Sequence, residues 1–314
     1  MPSLSITDVP GIQVGHAADE RAKTGCTVVL CEEGAVAGVD VRGSAPGTRE
    51  TDSLRPMNLV QRAHAILLTG GSAFGLAAAD GVMQYLEERD IGYRIGPFCV
   101  PLVPAAVIFD LRVGDGSVRP DAAMGHEACQ KARGGLFDVG RVGVGTGATV
   151  GKILGHEYAM KGGLGTASEI SGEGLVIGAL TVVNALGDVI DPSTGNIIAG
   201  VRDPATGRFL DTVRVLSTEY DRTILAHMNT TLSVVATTAA LTKEEINKVA
   251  QMAHNGLART IRPCHTMVDG DTIFALSLGS HKADVSLIGA VAADVVARSV
   301  VQAVTEANND VVTS

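Results

Sequence analysis

The nine residues Asn229-Thr230-Thr231-Leu232-Ser233-Val234-Val235-Ala236-Thr237 constrain this chain most, because a short apolar, β-branched run of this kind reads as a buried strand. An Asn-Thr pair stands at its mouth. A threonine hydroxyl is a weak nucleophile until a base removes its proton. If the chain were cut just before the threonine, the freed α-amine can serve as that base. Such an amine has an unperturbed pKa of about 8, so it is partly neutral near pH 7. From these nine residues alone, the plainer reading is a buried strand that begins with polar side chains.

The rest of the chain supplies material for a large core: 314 residues, 46% of them hydrophobic, suit one extended α/β sandwich. With 38 glycines, no tryptophan and 3% aromatics, that core must be Val, Ala, Leu and Ile packed closely, with glycine where backbones turn or approach. The net charge of −9, with no Lys/Arg run, argues against nucleic acid. Five cysteines without CxxC spacing suit a reduced compartment and buried thiols. The N-terminus lacks a secretory pattern. Leu287 to Val296 is short and broken by Asp294, so no membrane span is expected. The expectation is a soluble cytoplasmic protein.

In chain order, Cys26–Leu30 and Ala35–Val39 read as a hairpin around Glu32-Glu33-Gly34, and Arg42 to Asp52 as a loop. Ala65–Thr69 reads as a strand turning through Gly70-Gly71-Ser72 into a helix. The nucleophile-elbow pattern fails there, since Phe74 stands where glycine is needed. His126-Glu127 and His156-Glu157 both lack the second histidine of a zinc-protease motif. Gly143 to Lys152 fails the phosphate-loop pattern at Thr146 and Ile153, and the dinucleotide fingerprint at its third glycine. What remains is a close-approach glycine run that delivers Lys152 to a crowded place, where desolvation makes it a candidate for charge stabilisation or proton transfer.

Leu175–Val183 reads as a buried strand ending at Asn184, whose amide can meet an oxyanion or cap a turn. Asp191 to Phe209 is a turn-rich surface excursion. Thr242 and Glu245 form a capping box that starts a helix burying Ile246, Val249, Ala250, Ala253 and Leu257. Asp269-Gly270-Asp271 leads into the strand Ile273–Ser277 and lacks the further acids of a calcium loop. A last helix is expected from Ser286 to about Ala307.

Taken together, these blocks resemble the DmpA-type L-aminopeptidase/D-esterase family of self-processing N-terminal-nucleophile hydrolases. The likeness runs from the opening Ile-Thr-Asp-Val-Pro-Gly-Ile-Gln-Val-Gly-His to the last helix. Its most specific part is Asn-Thr-Thr-Leu-Ser-Val-Val-Ala-Thr followed by Asp-Gly-Asp-Thr-Ile-Phe-Ala.

The resemblance implies one domain over residues 1–314, an α/β fold of four layers (α-β-β-α), with Thr230 starting a central strand between the sheets. It implies self-cleavage between Asn229 and Thr230, giving chains 1–229 and 230–314 that stay associated. Thr230 is then the nucleophile and its new amine the base. Asn184 matches the family's oxyanion-holding asparagine. Lys152 matches a lysine near the nucleophile in the nylon-oligomer (6-aminohexanoate-oligomer) hydrolase branch. Asp269 and Asp271 match positions that orient the nucleophile and its amine. No metal or cofactor is implied, and the implied assembly is a homotetramer.

The chain departs from the aminopeptidase members in its threonine nucleophile and in Thr238, where many carry Asp or Asn. It looks more like the nylon-oligomer branch, which puts strict aminopeptidase specificity in doubt. The expected activity is hydrolysis of amide bonds in small peptides or peptide-like oligomers. The alternatives are an acyltransferase using the same acyl-enzyme and a catalytically silent binding protein on this scaffold.

Overall fold

A computed structural model describes residues 4–172, 174–218 and 229–309. Its organising strand is one that sequence reading divides in two. β1 (Gln13–Asp19) pairs antiparallel with the first half of β2 (Thr24–Val41), and β2 then runs on through Glu32-Glu33-Gly34 without turning back. Both halves of β2 pair with β4 (Arg62–Thr69), with a register shift between Leu30 and Ala35. The expected hairpin is therefore a bulge, accommodated by Gly34 at φ +78°. Local turn residues were present, but pairing with a common neighbour overrides them.

The remaining strands follow from β2. β4 pairs parallel with β5 (Ala105–Val107), whose other edge carries the two-residue β3 (Thr48–Arg49). On the other side come β6 (Gly163–Ser171), β7 (Leu175–Asn184), β8 (Thr230–Ala239) and β9 (Thr272–His281), ordered β6-β7-β8-β9-β2. β8 and β9 are parallel; the other pairs in this group are antiparallel.

Helices α1 (Ala78–Glu87) and α2 (Ala122–Gln130) cover one outer face, and α3 (Lys243–Thr260) and α4 (Val285–Asn308) the other. Alternation along the strands separates three apolar layers. Ala65 and Leu67 of β4 face α1 and α2, whereas Ile66 and Leu68 face inward. Leu232, Val234, Phe274 and Leu276 meet them between the sheets, while Val235, Ile273 and Ala275 pack under α3 and α4. Each of the buried Val, Leu, Ile and Phe side chains contributes about 1.5–3 kcal/mol. The nine strands form one hydrogen-bonded sheet that folds over at β2, and its two halves, facing each other across the middle apolar layer, act as the two sheets of the expected four-layer α-β-β-α arrangement.

Aromatic-poor layers must approach closely, and glycine makes that possible. A Cβ on Gly165 of β6 would lie 2.1 Å from the Ser299 carbonyl of α4, and one on Gly15 of β1 would lie 2.1 Å from that of Ala128 in α2. The capping box is formed: Thr242 Oγ accepts from Glu245 N–H and Glu245 accepts from Thr242 N–H. Helix α4 matches the expected Ser286–Ala307 to within a residue at each end, but it is more continuously apolar than sequence reading allowed. At 24 residues, with mean hydropathy 1.7, it has the length and composition of a membrane span. Asp294 does not interrupt it, because its side chain pairs with Arg259 at the surface. Ile288, Ala292, Val295, Val296 and Val300 are instead buried in the layer beneath it.

Candidate active site

Strand register brings the site together. Asn184, the last residue of β7, stands opposite Thr230, the first of β8. Asn229 bridges to Asp269, just ahead of β9, so the starts of the two parallel strands lie side by side. Thr230 shares its strand face with Leu232 and Val234, which places its side chain between the sheets. It is only 4% exposed.

Two donors converge on one carbonyl. Thr230 Oγ1 donates to Asn229 O at 2.5 Å, and Gly270 N–H donates to the same oxygen at 2.7 Å. Asn229 N–H in turn donates to Val268 O at 2.9 Å, which fixes the peptide from its other side. Only glycine fits at position 270, since a Cβ there would stand 2.8 Å from Thr230 Oγ1 and 2.8 Å from Ala45 O. Behind it, Ala45 N–H donates to Asp269 O, and Arg42 and Gly43 N–H to Asp271 O. The Arg42–Asp52 loop thus forms the wall against which the Asp-Gly-Asp turn rests.

Lys152 and Asn184 form the opposite wall. Lys152 Nζ donates to Asn184 Oδ1 at 2.7 Å and to Asn184 O at 2.9 Å. Asn184 Oδ1 also accepts from Thr149 N–H, and its Nδ2 donates to Phe109 O at 3.2 Å. The glycine run delivers the lysine as its composition suggests: Gly151 has φ +70°, with room for no Cβ against Val201 N at 2.0 Å. Burial pushes the Lys152 amine down to about 7, against the pull of Asp269 and Asp110. A buried amine with that pKa exchanges protons readily near neutrality. Asp110 accepts from Gly71 N–H and Thr24 Oγ1, both at 2.7 Å, and burial raises its carboxyl above the ordinary range.

The two aspartates have separate partners. Asp269 Oδ2 accepts from Thr266 N–H at 2.9 Å and from Thr266 Oγ1. Burial, and then the neighbouring charge of Asp271, push Asp269 up to about 6 despite Lys152. Asp271 Oδ1 accepts from Thr231 N–H at 2.7 Å, while its Oδ2 meets His265. No group of three His, Cys, Asp or Glu side chains suited to a metal occurs among the described residues.

The structure therefore brings Thr230, Asn184, Lys152, Asp269 and Asp271 into one place, at the junction of Asn229 and Thr230. Sequence reading missed Gly270 N–H, His265, Thr266 and Asp110. The glycine between two aspartates was a visible signal for the first of these. The other three sit in stretches without motif spacing.

Residues 5–313 match the model of peptidase family S58. An uncharacterized aminopeptidase of Mycobacterium leprae is 43% identical over 341 residues, covering 98% of this chain and 92% of its own. A 6-aminohexanoate-oligomer endohydrolase of Kocuria sp. is 33% identical over 315 residues, covering 94% and 84%. The L-aminopeptidase D-Ala-esterase/amidase of Ochrobactrum anthropi, an Ntn-hydrolase fold, superposes with a TM-score of 0.72 at 20% identity, over 96% of this chain and 86% of that one. The match over nearly the whole length, on a scaffold with these layers, shows that the chain belongs to peptidase family S58.

Proposed function

We propose that this chain is a self-processing N-terminal-threonine hydrolase of small peptides or peptide-like amide oligomers. Membership of a peptidase family makes it an amide-bond hydrolase; the nucleophile and the processing are our reading. The observation that carries it is the convergence of Thr230 Oγ1 and Gly270 N–H on the carbonyl oxygen of Asn229.

In this reading Thr230 Oγ attacks the Asn229 carbonyl carbon and passes its proton to a base, for which the buried Lys152 amine is the candidate. Negative charge develops on the oxygen that Gly270 N–H already holds. The C–N bond breaks, and the Thr230 nitrogen leaves as an amine with a proton returned from Lys152. An ester then joins Asn229 to Thr230 Oγ. One water hydrolyses it, leaving a carboxylate on Asn229 and a free α-amine on Thr230.

Substrate turnover repeats the chemistry. Thr230 Oγ attacks a substrate amide, the substrate amine leaves, and water releases the acyl group. The new α-amine is the base. The Asn184 amide has a second hydrogen beyond the one given to Phe109 O, and in this reading it is the donor that holds the oxyanion of the acyl step. Asp269 and Asp271 hold the strand start and the amine. The aminopeptidase and oligomer-endohydrolase names of the relatives support the substrate class. We further propose that processed protomers associate as homotetramers in the cytoplasm, which native mass spectrometry and cell fractionation test.

The first experiment is the intact mass of the purified protein beside its Thr230→Ala variant. Two wild-type fragments, the smaller beginning at Thr230, and one uncut variant chain are expected. A folded wild type that stays whole refutes the mechanism. A fragment beginning at Thr231 moves the nucleophile by one residue.

A further inference from the structure

The loop residues 264–266 divide the two site carboxylates between them. Thr266 takes Asp269, through its N–H and its hydroxyl. His265 takes Asp271: its backbone N–H lies 2.9 Å and its ring Nδ1 2.8 Å from Asp271 Oδ2. The other oxygen of that carboxylate holds Thr231 N–H, the first peptide after the nucleophile. His265 is itself fixed. Its backbone sits at φ +57°, and its ring packs edge-on against His254 of α3, with centroids 4.8 Å apart and planes at 73°. His254 Nε2 in turn lies 3.0 Å from Asp40 O of β2. A continuous path of contacts thus runs from β2 through α3 and the loop to the start of β8.

We propose that His265 is a positioning residue of the self-cleavage and hydrolysis reactions: by clamping Asp271 it fixes the Thr231 peptide, and with it the aim of Thr230 Oγ. The inference rests on Thr230 being the nucleophile. Neither the motif spacing nor the family match assigns this histidine a role, and the relation appears only when its two contacts are followed through the carboxylate to β8.

The electrostatics agree with a permanent clamp. The charged and titratable groups around the ring are Asp271 and Cys264 on its own loop and His254 from α3, with Asp40 and Arg42 of β2 beyond His254. Burial works against the imidazolium, but the hydrogen bond to Asp271, helped by Cys264, outweighs it and pushes His265 up to about 10. His254 goes the other way, lowered by burial to about 4, so it meets His265 as a neutral ring. A cation at His265 also offsets the charge of Asp271, which otherwise presses on Asp269.

The test compares His265→Asn with His265→Gly. Both residues accept φ +57°, so backbone strain is not the variable. Asparagine keeps a side-chain N–H donor for Asp271 without the charge; glycine removes both. Chains made by cell-free synthesis are followed by intact mass over time at pH 5 to 9, with thermal unfolding of each variant in the Thr230→Ala background.

His265→Gly is expected to self-cleave about 100-fold slower than wild type. His265→Asn is expected to recover at least tenfold of that at pH 8. The acid limb of its rate profile should move to higher pH, because removing a cation from the site raises the pKa of the groups that must be unprotonated there, the base Lys152 and its neighbour Asp269. Equal rates and pH profiles for wild type and His265→Gly overturn the role of His265 alone. So does a His265→Asn chain that is folded yet as slow as His265→Gly. If His265→Gly does not fold, the His265→Asn acid limb decides: an unshifted limb overturns the proposal. A folded wild type that never cleaves overturns the nucleophile reading and this one with it.

Discussion

Replacing Lys152 by methionine separates what the site needs from what the fold prefers. The side chain is almost wholly buried, and its amine is held at about 7 rather than 10.5. That drop corresponds to a penalty of at most about 5 kcal/mol on the charged form. The folded-state pKa is depressed, so the stability the group permits is present above 10.5 and lost as pH falls through about 7. Methionine carries no such penalty. It does remove two hydrogen bonds to Asn184, at about 1–1.5 kcal/mol each, while Asn184 Oδ1 keeps Thr149 N–H.

The expected balance at pH 6 to 7 is a gain of about 2 kcal/mol, or a Tm a few degrees higher. The gain should shrink as pH rises and reverse between about pH 8 and 9, and above 10.5 only the loss of the hydrogen bonds remains. Both chains are measured in the Thr230→Ala background, so that neither is cut. In the Thr230 background, the same substitution should slow self-cleavage by about 10²–10⁴-fold, the range for a lost proton-transfer group. A Lys152→Met chain destabilised equally at pH 6 and pH 10, with self-cleavage at the wild-type rate, refutes both halves of the reasoning.

Other outcomes follow from the same geometry. Gly270→Ala places a methyl 2.8 Å from the Thr230 hydroxyl and should slow self-cleavage at least 100-fold, the scale of a lost oxyanion donor, as read by intact mass. Thr230→Ser keeps an attacking hydroxyl and should still cut before residue 230, which N-terminal sequencing of the small chain checks. His265→Asn in the Thr230→Ala background should lose stability most below pH 6.5 and least above about 10, because the folded-state pKa of His265 is raised; urea unfolding at pH 6, 8 and 10 measures this. Phe274→Ala empties a fully buried place between the two sheets and should cost about 3–5 kcal/mol in denaturant unfolding.

The layers were legible because each long element carries its own period. Ile246, Val249, Ala250, Ala253 and Leu257 mark one face of α3, and Leu175–Val183 and Ile273–Ser277 are apolar on both faces. Glu32-Glu33-Gly34 misled because a bulge and a hairpin turn use the same residues. Only pairing with β4, set by residues some thirty positions away, separates the two. Asp294 misled in a similar way. A charge in an apolar run reads as an interruption, yet on a helix it occupies a single exposed position and the buried face continues around it.

The site divides along the same line. Thr230, Lys152, Asn184 and the two aspartates could be named because side-chain chemistry is written in residue type. What holds them in place is mostly backbone: Gly270 N–H on the Asn229 carbonyl, Thr231 N–H on Asp271, and the peptides of residues 42–45 against the turn. A backbone donor has no letter of its own; it becomes visible only through register. Once Asn184 lies opposite Thr230 and Asn229 beside Asp269, the donors follow, because both β8 and β9 begin there and their first N–H groups have no strand partner further back. The parallel start of two strands thus does for this carbonyl what a helix N-terminus does for an anion. It also explains why Asp271 sits just before β9, where its carboxylate receives the Thr231 N–H at the start of β8.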